Sequence, residues 1–256
     1  MFARVNQGQA VIRAEHRWPR FNAHWVGRSV LLLVTGLLLG LLMQHLADPS
    51  TLPIRKIRVQ GALVHVNEAM LHNSVVDKVQ GGYFNIDVAS LRQTVEQLAW
   101  VKTAAVRRVW PDAVVISVVE QQPLARWAGG GLVNIYGELF APAEDIEFPH
   151  LPRFSAPTGM QQTITELYRD LSAQLAPLNL HIVSLRLDER RAVQFELQNG
   201  IEVVLGREER FARLQRFVKV YNKTLVQHAT QIRRVDLRYS NGMAVQWNNK
   251  ATRANG

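Results

Sequence analysis

The residue types that most often carry out catalysis or bind metals are present in this chain, but their spacing does not predict an active site. The chain has no cysteine, which excludes thiolate catalysis, thiolate metal sites and disulfide bonds. The glycine–serine elbow of hydrolases, the phosphate-binding P-loop and the dinucleotide-binding glycine motif do not occur in it. The eight histidines lack metal-ligand spacing; they are His16, His24, His45, His65, His72, His150, His181 and His228. We therefore predict no enzyme, no metal site and no cofactor.

Two pairs of carboxylates and one run of glycines are the remaining candidates. Asp145 and Glu147 lie in a proline-rich stretch. Glu208 and Glu209 begin a predicted helix, where acidic side chains interact favourably with the helix dipole. Neither pair resembles a general acid and base. The segment 129–131 is all glycine without a following helix or lysine, so we interpret it as a hairpin loop rather than a phosphate cradle.

One long apolar run dominates the chain. The segment 29–47 contains no Asp, Glu, Lys or Arg, and as a helix it is roughly 28 Å long, which is close to the thickness of the bilayer hydrocarbon. We predict a transmembrane helix there. A buried core helix and a cleaved signal peptide are the alternatives; His45 at the −3 position of a cleavage after Ala47 disfavours the second. Gly36 and Gly40 have the small-xxx-small spacing that allows two membrane helices to pair.

The charge of the chain is unevenly distributed around this run. Of the formal net charge of +9, the segment 1–28 carries five arginines against Glu15, and Asp48 follows the apolar run. The positive-inside rule then keeps segment 1–28 in the cytoplasm and places the rest outside it. No block of five or more basic residues predicts nucleic-acid binding after residue 47, and the basic tail suits anionic lipid instead.

The segment 54–122 alternates between strand and helix patterns. The segment 54–59 is predicted to be a strand, and Gln60-Gly61 follows it as a turn. Asn67 and Asp87 are the predicted N-caps of two helices. Two further strands, 101–110 and 113–120, are separated by a turn. The first helix is predicted to run as far as Val79, before two glycines. The predicted order is β-α-α-β-β, a module whose two helices cover one face of a small sheet.

The segment 124–247 is predicted to be mainly strands with two helices. Strands are expected at 124–127, 132–135, 183–187, 193–197, 201–205, 235–239 and 243–247, with Asn199-Gly200 and Asn241-Gly242 as turns. Thr158 and Gln161 have the spacing of a capping box before the first helix, and the second is centred on Leu214.

The predicted fold class is therefore α+β. A single N-terminal transmembrane helix precedes a β-α-α-β-β domain and a mainly antiparallel β domain with two helices. The expected boundaries are a cytoplasmic tail at 1–28, the membrane helix at 29–47, the first domain at 48–123, the second at 124–247 and a disordered tail at 248–256.

Several motifs after the anchor resemble those of the FtsQ family of bacterial cell-division proteins, whose first exported domain is a POTRA module. The matching segments include VQG at 59–61, AWVK at 99–102, VRRVWPD at 106–112, EQQPLARW at 120–127, NIYGELF at 134–140 and VDLRY at 235–239. The likeness covers nearly all of the chain after Ala47.

The resemblance implies a divisome scaffold without enzymatic activity, in the inner membrane at the division septum. Its implied partners are FtsB and FtsL, with FtsB adding a strand to the edge of the C-terminal sheet, and other division proteins through the POTRA domain and membrane helix. The positions implied for the FtsB edge are Tyr239, Asn241, Gly242, Trp247 and Arg190. Those implied for the POTRA recruitment surface are Val106 and Arg108.

Other interpretations of these residues and of the chain remain open at this stage. Tyr239 and Trp247 are also consistent with half-buried aromatic residues on strands. Arg190 is also consistent with a solvated surface charge, and Val106 with a core residue. A POTRA-bearing component of envelope assembly or secretion is the alternative function, although the sequence shows one module and no barrel-length series of strands. A membrane-tethered enzyme acting on peptidoglycan is a further one.

Overall fold

A computed structural model describes residues 23–48, 51–79, 81–142 and 148–248. The chain divides into two compact units, residues 1–54 with 81–86, and residues 55–80 with 87–256. The described residues do not include residues 1–22 of the predicted tail 1–28, the carboxylates Asp145 and Glu147, or residues 249–256 of the predicted tail 248–256.

The first unit contains helix α1, Ala23–Ala47. Its segment Gly27–His45 has a mean hydropathy of 1.7, and it is the one helix among the described residues that is long and apolar enough to cross a membrane. The helix begins six residues before the predicted start at Ser29, so Arg28 belongs to it. A side chain at Gly36 or Gly40 would meet nothing within 4 Å.

The module that resembles a POTRA domain, called the POTRA module below, has the predicted β-α-α-β-β order: β1 Lys56–Gln60, α2 Glu68–Val76, α3 Val88–Glu96, β2 Val101–Val109 and β3 Ala113–Glu120. Asn67 and Asp87 are the N-caps, as predicted, and each accepts hydrogen bonds from amides of the first turn. Strand β3 lies in the centre, parallel to β1 and antiparallel to β2. Helix α2 ends at Val76, so the prediction that it reaches Val79 is wrong.

The C-terminal region is a nine-stranded mixed sheet with two helices. Its strand order is β12-β11-β10-β9-β8-β7-β4-β5-β6. The strands are β4 Pro123–Trp127, β5 Leu132–Asn134, β6 Leu139–Phe140, β7 Arg153–Ser155, β8 Ile182–Leu187, β9 Val193–Leu197, β10 Glu202–Gly206, β11 Ile232–Asp236 and β12 Ala244–Trp247; the helices are α4 Gln161–Leu175 and α5 Arg210–Val220. Most neighbours are antiparallel, as predicted, but β10–β11, β4–β7 and β7–β8 are parallel.

Alternation along the central strands buries one face of this sheet against the helices. Phe195, Phe154 and Phe217 are completely or almost completely buried in a single core with the apolar sides of α4 and α5. Burying each such side chain contributes about 1.5–3 kcal/mol to folding. The core thereby fixes the position of β10 and β11, which carry β12 at the rim.

Three local predictions are wrong. The N-cap of α4 is Met160, without a side-chain hydrogen bond, and Gln161 is the first helical residue, so Thr158 and Gln161 form no capping box. Strand β11 ends at Asp236 and the chain bends from Tyr239 onward, so Tyr239 lies in the turn rather than in a strand. Asn248, predicted to begin a disordered tail, donates its amide to the Gln231 carbonyl at 2.7 Å.

Candidate partner-binding edge

Strand β12 forms one rim of the nine-stranded sheet. It pairs with β11 on one side, and no described strand pairs with its other side. The Leu237 amide donates a hydrogen bond to the Val204 carbonyl oxygen, so the backbone of Leu237 faces β10. Since backbone groups alternate along a strand, Arg234 and Asp236 face β12 and pair with Gln246 and Ala244. The amides and carbonyls of Val245 and Trp247 therefore point outward from the sheet.

Val245 and Trp247, two residues apart on β12, have their side chains on the same face of the sheet. Val245 is half-buried against the helix-covered core. Trp247 remains 46% exposed, with its ring edge-on to His228 at 6.1 Å between centroids. The rim thus combines outward backbone groups with an aromatic side chain that is partly free to contact a partner.

The turn before β12 is held by a helix. Arg216 of α5 donates from Nη1 to the carbonyl oxygens of Tyr239 and Gly242, at 2.9 and 3.0 Å. Tyr239 is 58% exposed and Asn241 is exposed. The guanidinium of Arg238 donates hydrogen bonds to Asp236 and thereby lowers the pKa of that carboxyl below its usual value.

Arg190 lies in the β8–β9 turn, exposed, beside a positive-φ Arg191. This turn is closed by the Ala192 amide bonding to Asp188 at 2.7 Å. The registers from β9 to β12 place it at the same end of the sheet as Tyr239. The two turns are about 14 Å apart, three strand spacings.

The structure thus divides the five residues predicted for the FtsB edge. Tyr239, Asn241 and Gly242 share the turn before β12, Arg190 lies at the same end three strands away, and Trp247 lies at the opposite end of β12. The half-buried Val106 and the exposed Arg108 lie on the edge strand β2 of the POTRA sheet, apart from this group.

Two structural features were missed by sequence reasoning. The first is Arg216 of α5. The sequence signal that could have identified it is a basic residue beside the buried Leu214 and Phe217 on an amphipathic helix. The other is a polar network joining the POTRA module to the C-terminal sheet, centred on the fully buried Asn134. Asn134 Nδ2 donates to Gln121 at 2.8 Å and to Glu138 at 2.6 Å, and its Oδ1 accepts from the amides of Tyr136 and Glu138.

Lys102 of the POTRA module completes this network with a hydrogen-bonded ion pair to Glu138. That bond, followed by the one from Asn134, lowers the pKa of the Glu138 carboxyl below its usual value. The network therefore favours an ionised Glu138 and fixes the junction between β3 and β4. No cluster of three or more His, Asp or Glu side chains suited to a metal ion occurs within the described ranges.

Comparison with known proteins agrees with this architecture. The family model for the FtsQ-type POTRA domain matches residues 52–121, and that for the C-terminal part of cell division protein FtsQ/DivIB matches residues 125–238. The second match ends one residue before Tyr239.

Curated relatives match over most of the chain. The cell division protein FtsQ of Shewanella oneidensis is 37% identical, over 90% of this chain and 88% of its own. The cell division protein FtsQ of Coxiella burnetii is 34% identical, over 86% of this chain and 89% of its own. The fold is that of a POTRA-bearing protein, and its described residues include one candidate membrane helix. The chain belongs to the FtsQ family of cell division proteins.

Proposed function

We propose that this protein is a single-pass inner-membrane scaffold of the divisome that binds the FtsB–FtsL complex through the outer edge of β12. It links early and late division proteins to septal peptidoglycan synthesis and is itself not an enzyme. FtsB adds a strand beside β12, and FtsL accompanies it in the complex. The proposal rests on the family membership of the chain and, above all, on the rim of β12, which no described strand covers.

The chemistry of that rim suits strand addition. The outward amides and carbonyls of Val245 and Trp247 supply main-chain hydrogen bonds, which give affinity. The start of β12 is bordered by Tyr239, Asn241 and Gly242, and Trp247 lies at its end. Arg190 provides a positive charge at the same end of the sheet as Tyr239. Side chains placed in this way confer specificity for a partner strand.

The proposed domains follow the same scheme. Residues 1–28 form the cytoplasmic tail, 29–47 the span, 48–123 the POTRA domain and 124–248 the periplasmic partner-binding domain, with 249–256 as a tail. Other division proteins are recruited through Val106 and Arg108. In the membrane, Gly36 and Gly40 form a contact with another helix. A fluorescent fusion should then form a band at midcell; a uniform envelope signal would contradict the septal location.

The proposed binding edge is tested by charge substitution in the full-length chain. Tyr239→Lys should reduce co-purification of FtsB–FtsL by at least about tenfold, equal to about 1.4 kcal/mol, while thermal unfolding stays unchanged. Tyr136→Lys is the matched control, because Tyr136 is equally exposed, at 60%, near the opposite rim of the sheet. Equal capture by the two folded variants would remove Tyr239 from the site.

A further inference from the structure

The helix-free face of the POTRA sheet carries a row of three residues that the proposed partner binding does not use. Arg58 of β1 and Arg107 of β2 both stand opposite Val115 of the central strand β3. Residues paired in register share a face, so the two arginines flank Val115 about 10 Å apart, two strand spacings.

Burial identifies which face this is. The neighbouring positions Val114, Ile116 and Val118 are almost fully buried, as expected beneath α2 and α3. Arg58 and Arg107 are exposed, whereas Val115 between them is only 3% exposed. Long basic side chains cover apolar surface with their aliphatic stems and keep their charged heads in water.

The two guanidinium groups have no acidic partner within the described residues. One row further along the same face, Lys56 stands 3.7 Å from Asp112. The face therefore presents three cations and one carboxylate, with both arginines available to an anion. Guanidinium groups bind phosphate through paired hydrogen bonds.

The position of the face in the chain indicates which anion it meets. Eight residues separate Ala47, the last residue of α1, from Lys56, the first of β1. An extended connection of that length spans at most about 30 Å. The short connection therefore keeps this basic surface close to the lipid headgroups. Each basic residue near an anionic membrane raises the binding constant for that membrane about fivefold.

We propose that the Arg58–Arg107 face of the POTRA sheet docks on anionic phospholipid headgroups of the membrane in which α1 is anchored. This inference rests on the membrane span under the proposed function and is independent of partner binding at β12. Docking would orient the POTRA module against the bilayer surface.

The test uses the full-length chain in nanodiscs. Because the chain has no native cysteine, Ala105→Cys supplies a single fluorophore site, exposed and on the same face as Arg107. Quenching by a nitroxide attached to lipid headgroups is measured in phosphatidylcholine alone and with phosphatidylglycerol added. Quenching should rise with phosphatidylglycerol and fall again in high salt, because salt screens exposed charges.

Charge reversal then locates the effect. Arg58→Glu with Arg107→Glu should lower the ratio of docked to undocked protein at least about 30-fold, as expected from two basic contacts. Lys78→Glu with Arg92→Glu is the matched control, with the same change in charge on exposed residues just after α2 and on α3, and it should leave quenching unchanged. Quenching that is independent of phosphatidylglycerol, or lost equally in both pairs, would overturn the proposal. Capture of FtsB–FtsL by each protein reports separately on the β12 site.

Discussion

Arg216 Nη1 donates a hydrogen bond to the carbonyl oxygen of Tyr239 at 2.9 Å, so a helix residue holds the turn that carries the most exposed aromatic side chain beside β12. The same nitrogen bonds to the Gly242 carbonyl at 3.0 Å. The turn is therefore clamped on both sides of Asn241. Its conformation depends on α5 as well as on its own sequence.

Removing this clamp should weaken partner binding without unfolding the domain. Arg216→Ala removes two hydrogen bonds from a charged donor to a partly exposed turn, with an expected cost of about 1–2 kcal/mol. Amide hydrogen exchange at residues 238–243 should accelerate and capture of FtsB–FtsL should fall severalfold. Lys219→Ala, an exposed cation on the same helix, is the control. Unchanged exchange in the turn would show that the clamp is dispensable.

Strand addition predicts a different response to backbone and side-chain changes at Val245. Val245→Pro deletes an outward amide and leaves the β11 ladder intact, a position at which edge strands tolerate proline. FtsB–FtsL capture should fall at least about tenfold, about 1.4 kcal/mol. Val245→Ala retains the amide and should lose far less. Full capture by a folded proline variant would argue against main-chain pairing at this edge.

The buried Asn134 predicts a stability effect at the junction of the two domains. Asn134→Ala leaves Gln121, Glu138 and two backbone amides without this partner, which should cost about 2–4 kcal/mol of unfolding free energy. Denaturant unfolding measures the loss. Asn222→Ala, at an exposed position, should change the free energy by less than about 0.5 kcal/mol. Similar values for the two variants would contradict the role assigned to the network.

Glu138 predicts a pH dependence of the same junction. Its pKa in the folded protein is lowered by Lys102 and then by Asn134. A carboxyl with a depressed folded pKa stabilises the protein above the unfolded pKa, near 4.5, and this contribution is lost as pH falls through the folded pKa. Since Glu138 is half exposed, the effect should be small.

Glu138→Gln should therefore flatten the fall in unfolding free energy below pH 4.5, the usual pKa of the group. Asn222→Ala, at an exposed position without a titratable group, is the control, and it should retain the slope of the unchanged protein. Urea unfolding at several pH values measures both. Parallel curves for the Glu138 variant and the unchanged protein would disprove the assignment.

A core substitution sets the scale for all of these measurements. Phe195→Ala removes an almost fully buried ring from the central strand β9 and should cost about 3–5 kcal/mol. Val183→Ala, on the neighbouring strand but 40% exposed, should cost much less. A small loss at Phe195 would mean that the core around it relaxes to fill the cavity.

Local chemistry was readable from the sequence. The caps Asn67 and Asp87, the turn at Asn199-Gly200 and the order of elements in the POTRA module follow from side chains that bond to their own neighbouring backbone. The apolar character of α1 and the family motifs were equally visible in the chain. The capping box at Thr158 failed because the entry of the chain into α4 starts the helix at Gln161 instead.

The tertiary structure decided what lies beside what. The parallel pairing of β10 with β11 joins strands that a helix separates in sequence, and it is this pairing that leaves β12 at the rim. The meeting of Arg216 with Tyr239 and the row of Arg58, Val115 and Arg107 likewise combine distant segments. Sequence patterns report which face of an element is buried, but the choice of neighbour is made by packing of the whole core, which no local pattern encodes.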